Sequence, residues 1–176
     1  VNGDSDTDNP AFSISGNQIL IKAATDFEVK NAYKIRVQST DAGGLTIEKA
    51  ISINITGINE PPSSLGISTA SIDENIPNSS IIATLSTVDP DAKESFTYSL
   101  INGSNDADNN LFSIKANQLL INETPDFETK DAYNIRLQTT DSGGLSFEKE
   151  FTIKAKGVNE TPTEISLSTT EFKEHI

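Results

Sequence analysis

Val158-Asn159-Glu160-Thr161-Pro162 has a twin at Ile58-Asn59-Glu60-Pro61-Pro62, 100 positions earlier. Shifted against itself by that offset, the chain matches from end to end. Asn2-Gly3 falls on Asn102-Gly103, Phe12-Ser13-Ile14 on Phe112-Ser113-Ile114, and Asp26-Phe27-Glu28 on Asp126-Phe127-Glu128. Asp41-Ala42-Gly43-Gly44-Leu45 likewise falls on Asp141-Ser142-Gly143-Gly144-Leu145. About half of the aligned positions are identical, which marks true internal repetition. A period of this length is a whole domain rather than a solenoid turn. The twin segments then read as joints. Residues 1–59 are expected to be the C-terminal part of one repeat, 60–159 a complete repeat, and 160–176 the first strand of a following one.

Within the middle repeat the pattern is one of short strands with period-2 alternation. Leu65–Ile72, Ser80–Val88, Phe96–Ile101, Phe112–Ile114, Gln118–Asn122, Ala132–Thr140 and Leu145–Ala155 are the predicted strands. Ala132–Thr140 alternates cleanly, with Tyr133, Ile135 and Leu137 inward and Asn134, Arg136 and Gln138 outward. Gly143-Gly144 suits a tight hairpin needing positive φ. Lys149 interrupts the apolar face of the last strand, so a bulge or a rim position is expected there. Seven short strands in a repeat of this length, with no useful helical periodicity, predict an all-β, Greek-key, immunoglobulin-like sandwich repeated in tandem.

Composition narrows the function classes. The chain has no Cys, Met or Trp, a single His, and a net charge of −13. A disulfide framework, a thiolate metal site and a catalytic Cys are excluded. The absence of Cys fits a bacterial secreted or surface protein. Strong acidity argues against nucleic acid and anionic membranes as partners. No apolar run reaches transmembrane length.

The acidic residues gather at strand ends. Glu74 with Asn75 follows the first strand, and Asp89-Pro90-Asp91 follows the second. Asp126 and Glu128 lie in the long loop, Asp141 opens the Gly-Gly hairpin, and Asn159-Glu160 closes the repeat. Calcium takes six to eight oxygen ligands, which one loop cannot supply but several strand ends meeting at a joint can. Taken singly, Asp41 and Asp141 read better as turn residues, because Asp bonds its own backbone. Asp89-Pro90-Asp91 alone is also an ordinary turn. The set, in order, favours calcium. Asp4-Ser5-Asp6-Thr7-Asp8 has part of a calcium-loop spacing but lacks the required Gly and Glu, and reads as a polar turn, with a local calcium site as the alternative. His175 has no nucleophile motif beside it and reads as surface.

Together these motifs resemble cadherin repeats, in their bacterial form. Asp73-Glu74-Asn75 is similar to the family's acidic motif at the first strand, and Asp89-Pro90-Asp91 to its Asp-x-Asp. Asp26-Phe27-Glu28 and Asp126-Phe127-Glu128 resemble its Asp-Arg-Glu. Asp41-Ala42-Gly43 and Asp141-Ser142-Gly143 resemble its Asp-x-Gly. Ile58-Asn59-Glu60 and Val158-Asn159-Glu160 look like a shortened form of its linker. The resemblance implies a calcium-binding, non-enzymatic, extracellular or cell-surface adhesin segment. Calcium and neighbouring repeats would be its partners, with other adhesin molecules or cell-surface ligands as further ones. It implies a first joint built from Asp26, Glu28, Asn59, Glu60, Asp89, Asp91 and Asp141. It implies a second built from Glu74, Asp126, Glu128, Asn159 and Glu160. Gly57 and Gly157 stand where the family's leading linker Asp would be, and Lys173 and His175 flank Glu174. One or two ions per joint are therefore expected rather than the family's three. A carbohydrate-binding module is the rival reading, weakened by the lack of Trp and by inward-facing Tyr33, Tyr98 and Tyr133. A passive spacer is the third.

Overall fold

The computed structural model describes residues 6–92, 94–166, 168 and 174. In chain order its strands are β1 (Phe12–Ser15), β2 (Gln18–Ile21), β3 (Ala32–Thr40), β4 (Thr46–Asn54), β5 (Ser64–Ile67) and β6 (Ser71–Asp73). There follow β7 (Ser80–Val88), β8 (Thr97–Leu100), β9 (Phe112–Lys115), β10 (Gln118–Ile121), β11 (Ala132–Thr140) and β12 (Ser146–Lys156). Single 3-10 turns precede β1 and β9.

β5 to β12 form a two-layer sandwich. One sheet runs β5-β7-β10-β9 and the other β6-β12-β11-β8. The expected first strand, Leu65–Ile72, is in fact two. Its chain leaves one sheet after Ile67 and joins the other at Ser71, where β6 lies parallel to β12. The hydrophobic run was legible, but the change of sheet has no local signal, because both halves present apolar residues to the same core.

That core is Leu65, Ile72, Ala83, Leu85, Phe112, Leu119, Ile121, Tyr133, Ile135, Leu137, Ile153 and Ala155. Fully burying one such large side chain stabilises by about 1.5–3 kcal/mol, and alternate residues of each strand supply them. In β11 the inward set is Tyr133, Ile135, Leu137 and Thr139, as the alternation predicts. Tyr133 meets Phe112 edge-to-face at 5.7 Å, and Phe12 and Tyr33 repeat that contact at 5.4 Å.

β12 carries no bulge at Lys149. Its pairing with β11 runs unbroken from Ala132↔Lys154 to Thr140↔Ser146. Lys149 instead lies on the rim, its Nζ donating to the Leu65 carbonyl at 3.1 Å and its charge 5.2 Å from the Phe151 ring. The irregularity is elsewhere, between Leu119 and Leu120 where β10 pairs β7.

β1 to β4 repeat β9 to β12 in the same register. No counterparts of β5 to β8 cover them among the described residues. Their apolar faces are consequently open, with Ile14 63% and Ile47 74% exposed, while Ile35 is buried.

The Asp-rich loops before β1 and β9 are structural. Asp108 Oδ1 accepts from Lys130 Nζ at 2.6 Å and its Oδ2 from the Asn134 amide at 2.8 Å. Asp8 accepts from Lys30 Nζ and from the Lys34 amide in the same way. Asp106 accepts from the Gly103 amide at 2.9 Å. These bonds match the polar-turn reading. Asp4 and Ser5 lie outside the described residues, as do Lys173, His175 and about half of the stretch expected to open a third repeat.

Candidate metal centre

Two groups of carboxylates assemble at the two ends of the sandwich, and each mixes strand-end loops with a linker.

At the first joint the linker Asn59-Glu60 is gripped from the downstream side. The Asn59 side-chain amide donates to Asp141 Oδ2 at 3.0 Å, and the Glu60 backbone amide donates to Asp91 Oδ2 at 2.8 Å. The Asp91 amide donates to Asp89 Oδ1 at 2.9 Å, which is the turn chemistry expected of Asp-Pro-Asp. Asp89 Oδ2 is buried and has no hydrogen-bond partner among the described residues. Removing an anionic oxygen from water without a donor is costly. From the upstream side come Asp26 and Glu28. Burial, then the charges of Glu28, Asp26, Asp91 and Asp89, push the Glu60 carboxyl above its ordinary value. Four carboxylates from two other segments thus act on Glu60.

Asp141 is held by its own hairpin. Its Oδ1 accepts the Leu145 amide at 2.8 Å. Burial opposes its charge, but the Asn59 amide and the Leu145, Gly144 and Gly143 N–H groups outweigh that and hold its carboxyl below the usual value. Of the two glycines, Gly144 alone has positive φ, at +91°. Gly143 is needed for space instead: a Cβ there would lie 2.4 Å from the Asn59 side chain.

At the second joint Glu74, Asp126 and Glu128 bring carboxylate oxygens within 4.8 Å of one another. Glu74 is 3% exposed. Its Oε2 accepts the Phe127 amide at 2.8 Å and its Oε1 the Val158 amide at 2.5 Å, so one side chain ties the long loop to the linker. Those two N–H bonds, Val158 first, hold the Glu74 carboxyl below its ordinary value against burial. Its neighbour goes the other way. A bond from its own backbone N–H lowers Glu128, but burial and the charges of Glu74 and Glu160 outweigh it and raise the carboxyl. Two carboxyls pushed apart in this manner are a like-charged pair in one site. Asp126 caps its own turn through Thr129, with Oδ1 accepting the amide at 3.0 Å and Oδ2 the hydroxyl at 2.9 Å. Asn75, at φ +61°, reaches across to Glu160 Oε1 at 2.6 Å. Asn159 is exposed.

Every ligand type present is a hard oxygen, carboxylate or amide carbonyl, which is the donor set that calcium takes. The unpartnered Asp89 oxygen and the shared field at Glu60 make the first joint the better fit. One residue here was missed in the sequence. Glu94 accepts from the Ser142 hydroxyl and amide, and lines a cleft with Glu28 and Asp91. It belongs to no motif, and only the path of the loop after Asp91 brings it near.

The family model of the cadherin domain matches residues 68–156. Among curated relatives, human Protocadherin beta-1 is 27% identical over 159 residues, covering 86% of this chain and 19% of the relative. Rat Protocadherin Fat 2 is 28% identical over 152 residues, covering 82% of this chain and 4% of the relative. The chain therefore spans less than a fifth of the length of these relatives. Among solved structures, extracellular cadherin domains 3–6 of Protocadherin Gamma B2 superpose with a TM-score of 0.66 at 22% identity, covering 90% of this chain and 39% of that one. Human Protocadherin-24 EC1-2 gives 0.69 at 19% identity, covering 86% and 79%. These likenesses establish the sandwich fold. Among the described residues, no helix is long and apolar enough to cross a membrane. With its family and extracellular relatives, the chain is an extracellular or cell-surface module.

Proposed function

The chain belongs to the cadherin domain family, and on that premise we propose that it is a calcium-binding segment of a tandem array that stiffens an adhesin. Its repeats run 1–59, 60–159 and 160–176. The first joint would hold calcium through Asp26, Glu28, Asn59, Glu60, Asp89, Asp91 and Asp141. The second would use Glu74, Asp126, Glu128, Asn159 and Glu160. The observation that carries the reading is Asp89 Oδ2, buried without a hydrogen-bond donor beside the carboxylates that crowd Glu60. A divalent cation there would satisfy the orphaned oxygen and discharge the repulsion together.

Without the ion, carboxylates from two repeats repel and the joint flexes. With it, they are bridged and the array behaves as a rod. Extracellular calcium modules bind with Kd of about 10⁻⁴ to 10⁻³ M, a range in which external calcium occupies them. The segment is non-enzymatic: its carboxylates lie at joints beside a linker rather than in a substrate cleft. Its partners are neighbouring repeats, with other adhesin molecules or cell-surface ligands bound through the array. The bacterial form of the family is part of this proposal and rests on the absence of Cys; the relatives above are animal proteins.

Small-angle scattering of a chain with two complete repeats tests the reading. The maximum dimension should lengthen and its distribution narrow on going from chelator to calcium. Unchanged dimensions contradict it.

A further inference from the structure

The rings of Phe27 and Phe127 lie close against glycines of the linkers. A Cβ added to Gly57 would sit 2.9 Å from Phe27 Cδ1 and 3.2 Å from Cε1 and Cγ. On Gly157 the corresponding distances to Phe127 are 3.1, 3.4 and 3.5 Å. The first joint thus has no room for a side chain at Gly57, and the second has almost none at Gly157. Each pair joins the Phe of an Asp-Phe-Glu to the Gly that heads a linker, and the structure makes the contact twice.

The second copy shows how the contact is framed. Glu74 accepts the Phe127 amide through one oxygen and the Val158 amide, next to Gly157, through the other. Carboxylate and ring hold the loop and the linker together from two sides. The first copy has no counterpart of Glu74 among the described residues, yet its ring lies as close to the glycine. The ring-on-glycine contact therefore forms without that carboxylate. Phe27 also lines the cleft that Glu28, Pro90, Asp91, Ala92 and Glu94 share across the joint.

We propose that Phe27 and Phe127 are positioning residues of the joint. Each ring fastens the head of the linker to the upstream repeat without an ion, and confines the flexing of an ion-free joint to the residues after the glycine. This goes beyond the calcium reading and does not depend on it. Calcium then needs to order only a short segment, Asn59-Glu60 or Asn159-Glu160, rather than the whole linker.

Backbone ¹⁵N order parameters of the 176-residue chain test the proposal in chelator. Gly57 and Gly157 should be near 0.85, the value of rigid backbone. F127A should bring Gly157 below about 0.6, a level typical of flexible backbone. Phe127 is 39% exposed, so the repeat keeps its fold, and Ile135 and Ile153 should be unchanged along with Gly57. F127Y, which keeps the ring, should leave Gly157 rigid. A Gly157 already mobile in the unmutated chain, or indifferent to F127A, overturns the proposal. Calcium added to the unmutated chain is a separate arm. If Asn59 and Glu60 do not respond, the calcium reading fails while the restraint by the rings stands.

Discussion

Asn59 of the linker and Asp141 of the second repeat's hairpin meet side chain to side chain at 3.0 Å, over a glycine that leaves no space for a methyl group. Gly143 and Asn59 therefore form a steric pair as well as a neighbourhood of ligands. Gly143→Ala should push Asn59 off Asp141 and leave the sandwich intact, since the hairpin's only positive-φ glycine is Gly144. The expected outcome is about tenfold weaker calcium binding at the first joint, a loss of ~1.4 kcal/mol, with an ion-free melting temperature close to that of the parent. Unchanged calcium affinity would show that the Asn59–Asp141 contact has no part in the site.

Asp91 accepts the Glu60 amide, whereas Asp106 serves a loop away from either joint. Asp91→Ala should shrink the calcium-induced rise in melting temperature. Saturation at a hundred times Kd stabilises by about 2.7 kcal/mol, so the loss is measurable by calorimetry. Asp106→Ala should leave the rise nearly intact. A response that follows Asp106 and ignores Asp91 places the ion in the loop.

Glu74 accepts two backbone N–H groups, and no neutral isostere accepts both through two oxygens. Glu74→Gln turns one acceptor into a donor that faces an N–H. The ion-free melting temperature should drop by several degrees. The drop should come with faster amide exchange at Val158 and Phe127, while exchange in β8 stays near parental. Val158 exchange that matches the parent's would mean the carboxylate does not hold the linker.

The raised and lowered carboxyls make opposite predictions for pH in chelator. Glu60 and Glu128 have folded values above their unfolded ones. Their contribution is fully present below the unfolded value and is lost as pH rises through the folded one. Glu74 and Asp141 have lowered values, so theirs is present above the unfolded value and is lost as pH falls through the folded one. Melting temperature in chelator should rise as pH falls toward the ordinary carboxylate range, then fall as pH drops below it. Saturating calcium should abolish the first rise, because the ion takes over the discharge that protons provide.

The sequence disclosed the fold through two periodicities. The 100-residue offset set the repeat, and the alternation of Tyr133, Ile135 and Leu137 set the sheet faces. Ser80–Val88 and Ala132–Thr140 have the ends that pattern gives them. The division of the first strand was hidden, since Leu65 and Ile72 enter one core from different sheets. Lys149 was ambiguous because a side chain that reaches a rim carbonyl and one displaced by a bulge break alternation identically. At the joints, chemistry was readable and pairing was not. Residue type marks Asp89, Asp91 and Asp141 as hard-oxygen donors, but not that Asn59 lands on one and the Glu60 amide on another. Glu94 and the ring-on-glycine contacts depend on where loops travel, which short spacing does not record.

Calcium binding at the joints is tested by titration calorimetry of calcium into the chelator-treated, 176-residue chain. A saturable heat with Kd of about 10⁻⁴ to 10⁻³ M is predicted. Its main component should be lost in Asp91→Ala and retained in Asp106→Ala. Absence of saturable binding up to about 10 mM, well above that range, would contradict a calcium-stiffened joint.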